Sequence, residues 1–140
     1  MSEFEISVTW LETVDAIESA GSHVLLDYVN YKRGETGDGE WVLSVLRECI
    51  RKSGVREVHS HVEIFDGEDS PPGFAAVVLI DESHVTAHCY SERGILAIDV
   101  FTCGDSNPSE VAAMINDVLV SEIPDLRKVF EKRVERFRSD

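Results

Sequence analysis

Residues 80–88 read I-D-E-S-H-V-T-A-H, set between the apolar runs A-A-V-V-L and I-L-A-I-D-V-F. An acid, a hydroxyl and two histidines thus interrupt a stretch with the composition of central strands. Taken alone, D-E-S-H is a hairpin connection, because Asp and Ser are ordinary turn residues and polar groups collect at strand ends. His59/His61 and His84/His88 stand at even spacing, so each pair shares one face of its strand, as a metal site would require. No carboxylate or thiol stands at a recurring ligand spacing beside them, so ordinary hydrogen bonding is the simpler reading and no metal is expected. Cys103, in T-C-G-D, ends a strand, where a cysteine is more often a small hydrophobe than a nucleophile. The chain shows no Ser-His-Asp order, no glycine-rich phosphate loop and no zinc-type cysteine pairing.

The elements that must position these residues follow from periodicity. Ile6, Trp10, Val14 and Ile17 are spaced for a short amphipathic helix or an irregular N-terminal arm. After Gly21, H-V-L-L-D-Y-V-N-Y predicts a strand buried on both faces or nearly so. Three glycines break it, and Trp41, Val42, Val45, Leu46, Cys49 and Ile50 then recur at helical spacing until Ser53-Gly54. V-R-E-V-H-S-H-V-E-I-F alternates with a break in parity that predicts a bulge or twist. D-G-E-D-S-P-P-G is a loop, and G-F-A-A-V-V-L-I-D, H-V-T-A-H-C-Y and I-L-A-I-D-V-F-T read as an antiparallel meander. N-P-S-E opens a last helix, capped by Asn107 or Ser109, with Val111, Met114, Ile115 and Val118 on one face. The tail from Arg127 suits a strand or a helix. The order points to an α+β fold, an antiparallel sheet with helices on one face.

Composition narrows the function. At 140 residues the chain has room for one core. A formal charge of −14 argues against nucleic acid, whose phosphates call for clustered Lys and Arg; only the tail R-K-V-F-E-K-R-V-E-R-F-R is locally basic. No apolar run approaches the ~20 residues of a membrane span. Acids occupy the first twenty residues where a secretory or transit peptide carries bases, and three cysteines without framework spacing suit free thiols, so a cytoplasmic protein is expected. An acidic surface favours cationic ligands by steering.

E-S-H-V-T-A-H at 82–88, E-R-G at 92–94 and D-V-F-T-C-G at 99–104 together resemble the prokaryotic-type S-adenosylmethionine decarboxylase proenzymes, a pyruvoyl-dependent family. The resemblance is densest over 73–108, reaches back to G-S-H-V-L-L-D at 21–27, and leaves residues 1–20 as an extension to a single domain over 21–140. It implies a two-layer α/β sandwich and a symmetric homodimer, with the antiparallel sheet joining across it and active sites at or near the interface. It also implies self-cleavage between Glu82 and Ser83. The Ser83 hydroxyl would attack the Glu82 carbonyl to make an ester, and β-elimination would then leave a pyruvoyl group at the head of 83–140. His88 matches the histidine that removes the proton in that elimination, a task suited to imidazole.

The resemblance further implies that the pyruvoyl ketone forms a Schiff base with the substrate α-amine and takes up the electrons released with carbon dioxide, with no external cofactor. Cys103 matches the proton donor to the product carbon, Glu92 the acid that binds the ribose hydroxyls, and Phe65 an adenine-stacking aromatic. Tyr90 and Ser91 stand where the family has Trp-Pro; Tyr90 could still stack. Ala75 replaces a serine associated with processing, and Ile95 replaces an aromatic. The expected activity is decarboxylation of S-adenosylmethionine, which supplies aminopropyl groups for polyamine synthesis. The alternatives are a pyruvoyl-dependent decarboxylase of L-ornithine or L-arginine, and an unprocessed, non-catalytic homologue that regulates an active partner. A histidine-ligated metal enzyme ranks last.

Overall fold

The computed structural model describes residues 20–103 and 106–137, so the helix or arm expected around Ile6, Trp10, Val14 and Ile17 lies outside the described residues. Six strands, β1 (Gly21–Val29), β2 (Glu57–Phe65), β3 (Gly73–Ile80), β4 (Ser83–Tyr90), β5 (Ile95–Cys103) and β6 (Arg127–Arg136), form one antiparallel sheet in the order β2-β3-β4-β5-β1-β6. Two helices, α1 (Asp38–Lys52) and α2 (Pro108–Glu122), lie on the same side of it. The expected α+β architecture is therefore present, and the undecided tail is the edge strand β6.

The helices form for the reasons their sequences suggest. In α1, Val42, Val45, Leu46, Cys49 and Ile50 are buried, acids Asp38 and Glu40 sit in its first turn, and Arg51 and Lys52 sit in its last, each favourable to the helix dipole. Trp41, expected on the same face, is half-buried and carries the Arg33 guanidinium 4.6 Å over its ring. In α2 the cap is Asn107, whose side chain accepts from the Ser109 N–H at 2.9 Å, with Pro108 at the first position. Val111, Ala112, Ile115 and Leu119 are buried, while Met114 and Val118 pack at the margin of the core.

Alternation along the strands sorts the sheet into two unlike faces. Towards the helices point Val24, Leu26 and Tyr28 of β1, Phe74, Ala76 and Val78 of β3, Val85 and Ala87 of β4, and Leu96, Ile98 and Val100 of β5, all buried. The opposite face has no helix over it among the described residues, and its side chains are half-buried or exposed. The expectation of a β1 buried on both faces is corrected here: His23, Leu25, Asp27 and Val29 lie on this open face. The apolar run misled because Leu25 and Val29 stand on the uncovered side. The bulge expected in β2 is present as a register shift between Glu57 and His59 that leaves Val58 outside the ladder. After it, Ser60, Val62 and Ile64 take the helix side and His59 and His61 the open side.

Candidate active site

The β3–β4 connection is a two-residue hairpin, Asp81-Glu82, closed by the Ile80–Ser83 pair. Glu82 has φ 58, the left-handed region that a side chain disfavours. Ser83 opens β4 on the helix side and is buried to 9% exposure. Its Oγ accepts a hydrogen bond from the Cys103 backbone N–H at 2.9 Å. That donor would stabilise negative charge developing on the oxygen, which is what a serine needs to act as a nucleophile. Cys103 ends β5 and is half-buried, beside Gly21: a Cβ on Gly21 would lie 3.4 Å from its Sγ and 3.0 Å from the Phe101 ring. A missing side chain on β1 therefore keeps the thiol and ring accessible.

A cleft of about 590 Å³ opens onto this group, lined among others by Arg56, Asp81, Glu82, Cys103, Asn107 and Glu110. Its wall is held by Arg133 of β6, which donates to Asn107 Oδ1 at 3.1 Å, Ser109 Oγ at 2.8 Å and Ser22 Oγ at 3.1 Å. The other two cysteines lie in the core, where burial pushes the Cys89 thiol up to about 11 and also raises Cys49, so both stay protonated.

The remaining expected residues gather at the other end of the sheet. His88 is exposed on the open face of β4, opposite Ala75 on β3 and Ala97 on β5. It lines a cavity of about 330 Å³ with Asp27, Val29, Tyr90, Ile95 and Val129, and a second of about 210 Å³ with Phe65, Pro71 and Tyr90. Phe65 and Tyr90 pair on either side of Gly73, so a bare glycine forms the floor between two aromatic side chains. Glu92 is exposed in the β4–β5 turn and lines neither cavity. The fold brings Glu82, Ser83 and Cys103 together and groups His88, Tyr90 and Phe65 apart from them. Five strand steps separate Ser83 from His88, about 16 Å, and the odd spacing puts them on opposite faces.

Several polar residues near the Ser83 end carry roles that the motifs do not announce. His23 and His84 flank Phe101 in one row across β1, β5 and β4, with ring centroids 6.1 and 5.4 Å from it. His23 Nε2 lies 3.1 Å from Asp99 Oδ1. Burial, then the neighbouring His23, lowers the His84 pKa, while Asp99 raises it. The Arg136 guanidinium sits 5.5 Å over the Phe101 ring. The available signal was an acid, Asp99, inside an apolar strand. All five histidines of the chain, His23, His59, His61, His84 and His88, lie on the open face. Among the described residues no group of three or more His, Cys, Asp or Glu is placed to hold a metal ion.

Residues 22–131 match the family model described as S-adenosylmethionine decarboxylase. The S-adenosylmethionine decarboxylase proenzymes of Bacillus velezensis and Clostridium tetani are each 35% identical, over 105 and 106 residues, with 74% of this chain and 79% of theirs covered. That of Archaeoglobus fulgidus is 34% identical over 92 residues, covering 66% of this chain and 79% of its own. The crystal structure of the adenosylmethionine decarboxylase from Aquifex aeolicus VF5 superposes with a TM-score of 0.64 at 23% identity, covering 85% of this chain and 92% of that one, a likeness of fold.

Proposed function

The chain belongs to the S-adenosylmethionine decarboxylase family, and we propose that it is a self-cleaving, pyruvoyl-dependent decarboxylase of S-adenosylmethionine. The observation that carries the reading is the left-handed Glu82 at the same peptide bond whose Ser83 hydroxyl is held by the Cys103 amide. Strain of about 1–2 kcal/mol at that residue favours leaving the amide. Ser83 Oγ adds to the Glu82 carbonyl carbon, the C–N bond breaks, and the hydroxyl proton passes to the freed nitrogen. Loss of the Ser83 α-proton then expels the Glu82 carboxylate by breaking the Cβ–Oγ bond. The unsaturated residue left at position 83 takes up water and releases ammonia, becoming the pyruvoyl group.

That group supplies an electron sink for decarboxylation. Around it, Cys103, whose backbone N–H meets Ser83 Oγ, is the nearest thiol to serve as proton donor, and the cleft at Glu82 and Asn107 gives access. Phe65 and Tyr90, across the Gly73 floor, suit the two faces of a planar base, and the exposed carboxylate of Glu92 suits a ribose diol.

His88 cannot serve Ser83 of its own chain at about 16 Å. A homodimer formed by packing open face on open face, in place of the sheet joining across the dimer that the resemblance implied, removes the distance, because a two-fold axis near the middle of β4 carries the His88 end of one copy over the backbone at the Ser83 end of the other. Leu25, Leu79, Ile95, Ala97 and Phe101 on that face then become buried, as an uncovered sheet face requires. The protein so described acts in the cytoplasm on a small cationic amino-acid-type substrate. Among the described residues no helix is long and apolar enough to cross a membrane.

L-ornithine or L-arginine remains the second substrate class, because Asp27 lines the otherwise apolar cavity beside His88 and could take a terminal cation. The test is intact mass before and after incubation, borohydride reduction, and carbon dioxide released from each carboxyl-labelled substrate. Two fragments, 1–82 and 83–140, with release from S-adenosylmethionine are expected. Release from ornithine or arginine alone moves the assignment to the second class; one full-length species throughout favours the non-catalytic homologue.

A further inference from the structure

A two-residue hairpin normally takes a turn with positive φ at both loop residues or at the first, since those match the twist of the strands. Here only the second, Glu82, is left-handed, and it is neither glycine nor asparagine. Something must hold the loop in this form, and the neighbouring strand supplies it. Register at the end of β2 sets Glu57 opposite Ile80, so Arg56 falls opposite Asp81. The Arg56 carbonyl accepts from the Asp81 N–H at 3.2 Å. Its guanidinium returns a two-point fork to the Asp81 carboxylate, Nε to Oδ2 at 3.0 Å and Nη2 to Oδ1 at 2.6 Å. Three bonds from one residue thus grip the residue next to the scissile peptide. The register shift at Val58 sets this end of the ladder, which gives the bulge a purpose.

We infer that Arg56 is a positioning residue for self-cleavage: its fork on Asp81 holds the β3–β4 loop so that Glu82 stays left-handed and its carbonyl remains set for attack by Ser83. The inference rests on the self-processing reading. Both side chains are more than half exposed, at 71% and 51%, so the pair adds little to global stability. A planar fork does fix orientation, which a single lysine contact cannot. The consequence is a rate effect without a stability effect.

The test follows cleavage of freshly synthesised chain by fragment appearance, for the wild type, Arg56→Ala, Arg56→Lys, Asp81→Asn and the exchanged pair Arg56→Asp with Asp81→Arg. Each single substitution should slow cleavage about tenfold, equivalent to ~1.4 kcal/mol of barrier, with thermal midpoints unchanged. The exchanged pair should recover most of the rate. Hydroxylamine, which cleaves an ester but not an amide, should not rescue the single variants, because their delay precedes the ester. Wild-type rates in Arg56→Ala and Asp81→Asn, or full rescue by hydroxylamine, overturn the inference while leaving self-processing intact. A wild-type chain that never cleaves removes the self-processing reading itself, and the positioning role with it.

Discussion

Replacing Glu82 by glycine should make the uncleaved protein more stable and its cleavage slower. In a Ser83→Ala background the peptide cannot be cut, so folding can be measured without processing. A side chain at φ 58 costs about 1–2 kcal/mol relative to glycine, and glycine gives back about 0.5–1 kcal/mol through the greater freedom of its unfolded chain. The net gain is about 0.5–1 kcal/mol, or a rise of about 1–4 °C in the thermal midpoint for a domain of this size. Glu82→Asn should move the midpoint in the same direction, since asparagine tolerates the left-handed region. In the cleavable chain the same substitutions release strain that otherwise favours the acyl shift, and fragment appearance should slow by about five- to tenfold. The assays are thermal denaturation by circular dichroism and a time course of fragment appearance. A lower midpoint for both variants, or unchanged cleavage, would refute the view that Glu82 stores strain for the reaction.

Three more expectations follow from the geometry. Ala75→Ser places a hydroxyl opposite His88 in the β3–β4 register, and should speed processing several-fold in the same time course. If His88 acts across a dimer, coexpressed Ser83→Ala and His88→Ala chains should form mixed dimers with one complete site, giving partial cleavage and carbon dioxide release where neither variant alone gives any; no complementation would place His88 elsewhere. Because burial lowers the His84 pKa from its ordinary 6.5, the unfolded chain binds a proton there before the folded one does. Stability should therefore fall as pH drops below about 6.5 until the folded histidine also titrates. Denaturant midpoints between pH 7.5 and pH 5 check this, and His84→Gln should flatten the dependence.

How much was legible in the residues divides along local and distant lines. Helix α1, the β2 bulge and the start of α2, with its cap narrowed to Asn107 or Ser109, were readable because each is set by neighbours within a few positions. The insertion of β1 between β5 and β6 was not, since that pairing joins residues far apart in sequence and no periodicity encodes it. Nor did β6 declare itself: its charges protect a sheet edge from further pairing, and they also suit an exposed helix. The nearness of Ser83, Glu82 and Cys103 came through the motif resemblance, whereas the gulf between Ser83 and His88 was open to simple counting, five being an odd number of strand steps. Arg56 carried no signal, because its value comes from register on a neighbouring strand.

The position of the cut within the sheet order has a last consequence. Residues 1–82 supply β1, β2 and β3, and residues 83–140 supply β4, β5 and β6, yet β1 sits between β5 and β6. The two pieces would be interleaved, so neither could leave without tearing hydrogen-bonded ladders on both its sides. Once severed, each protomer would melt as two separate polypeptides, at a temperature that depends on how much protein is in the tube. Its route back would require two partners to meet, where the newborn chain needed only itself.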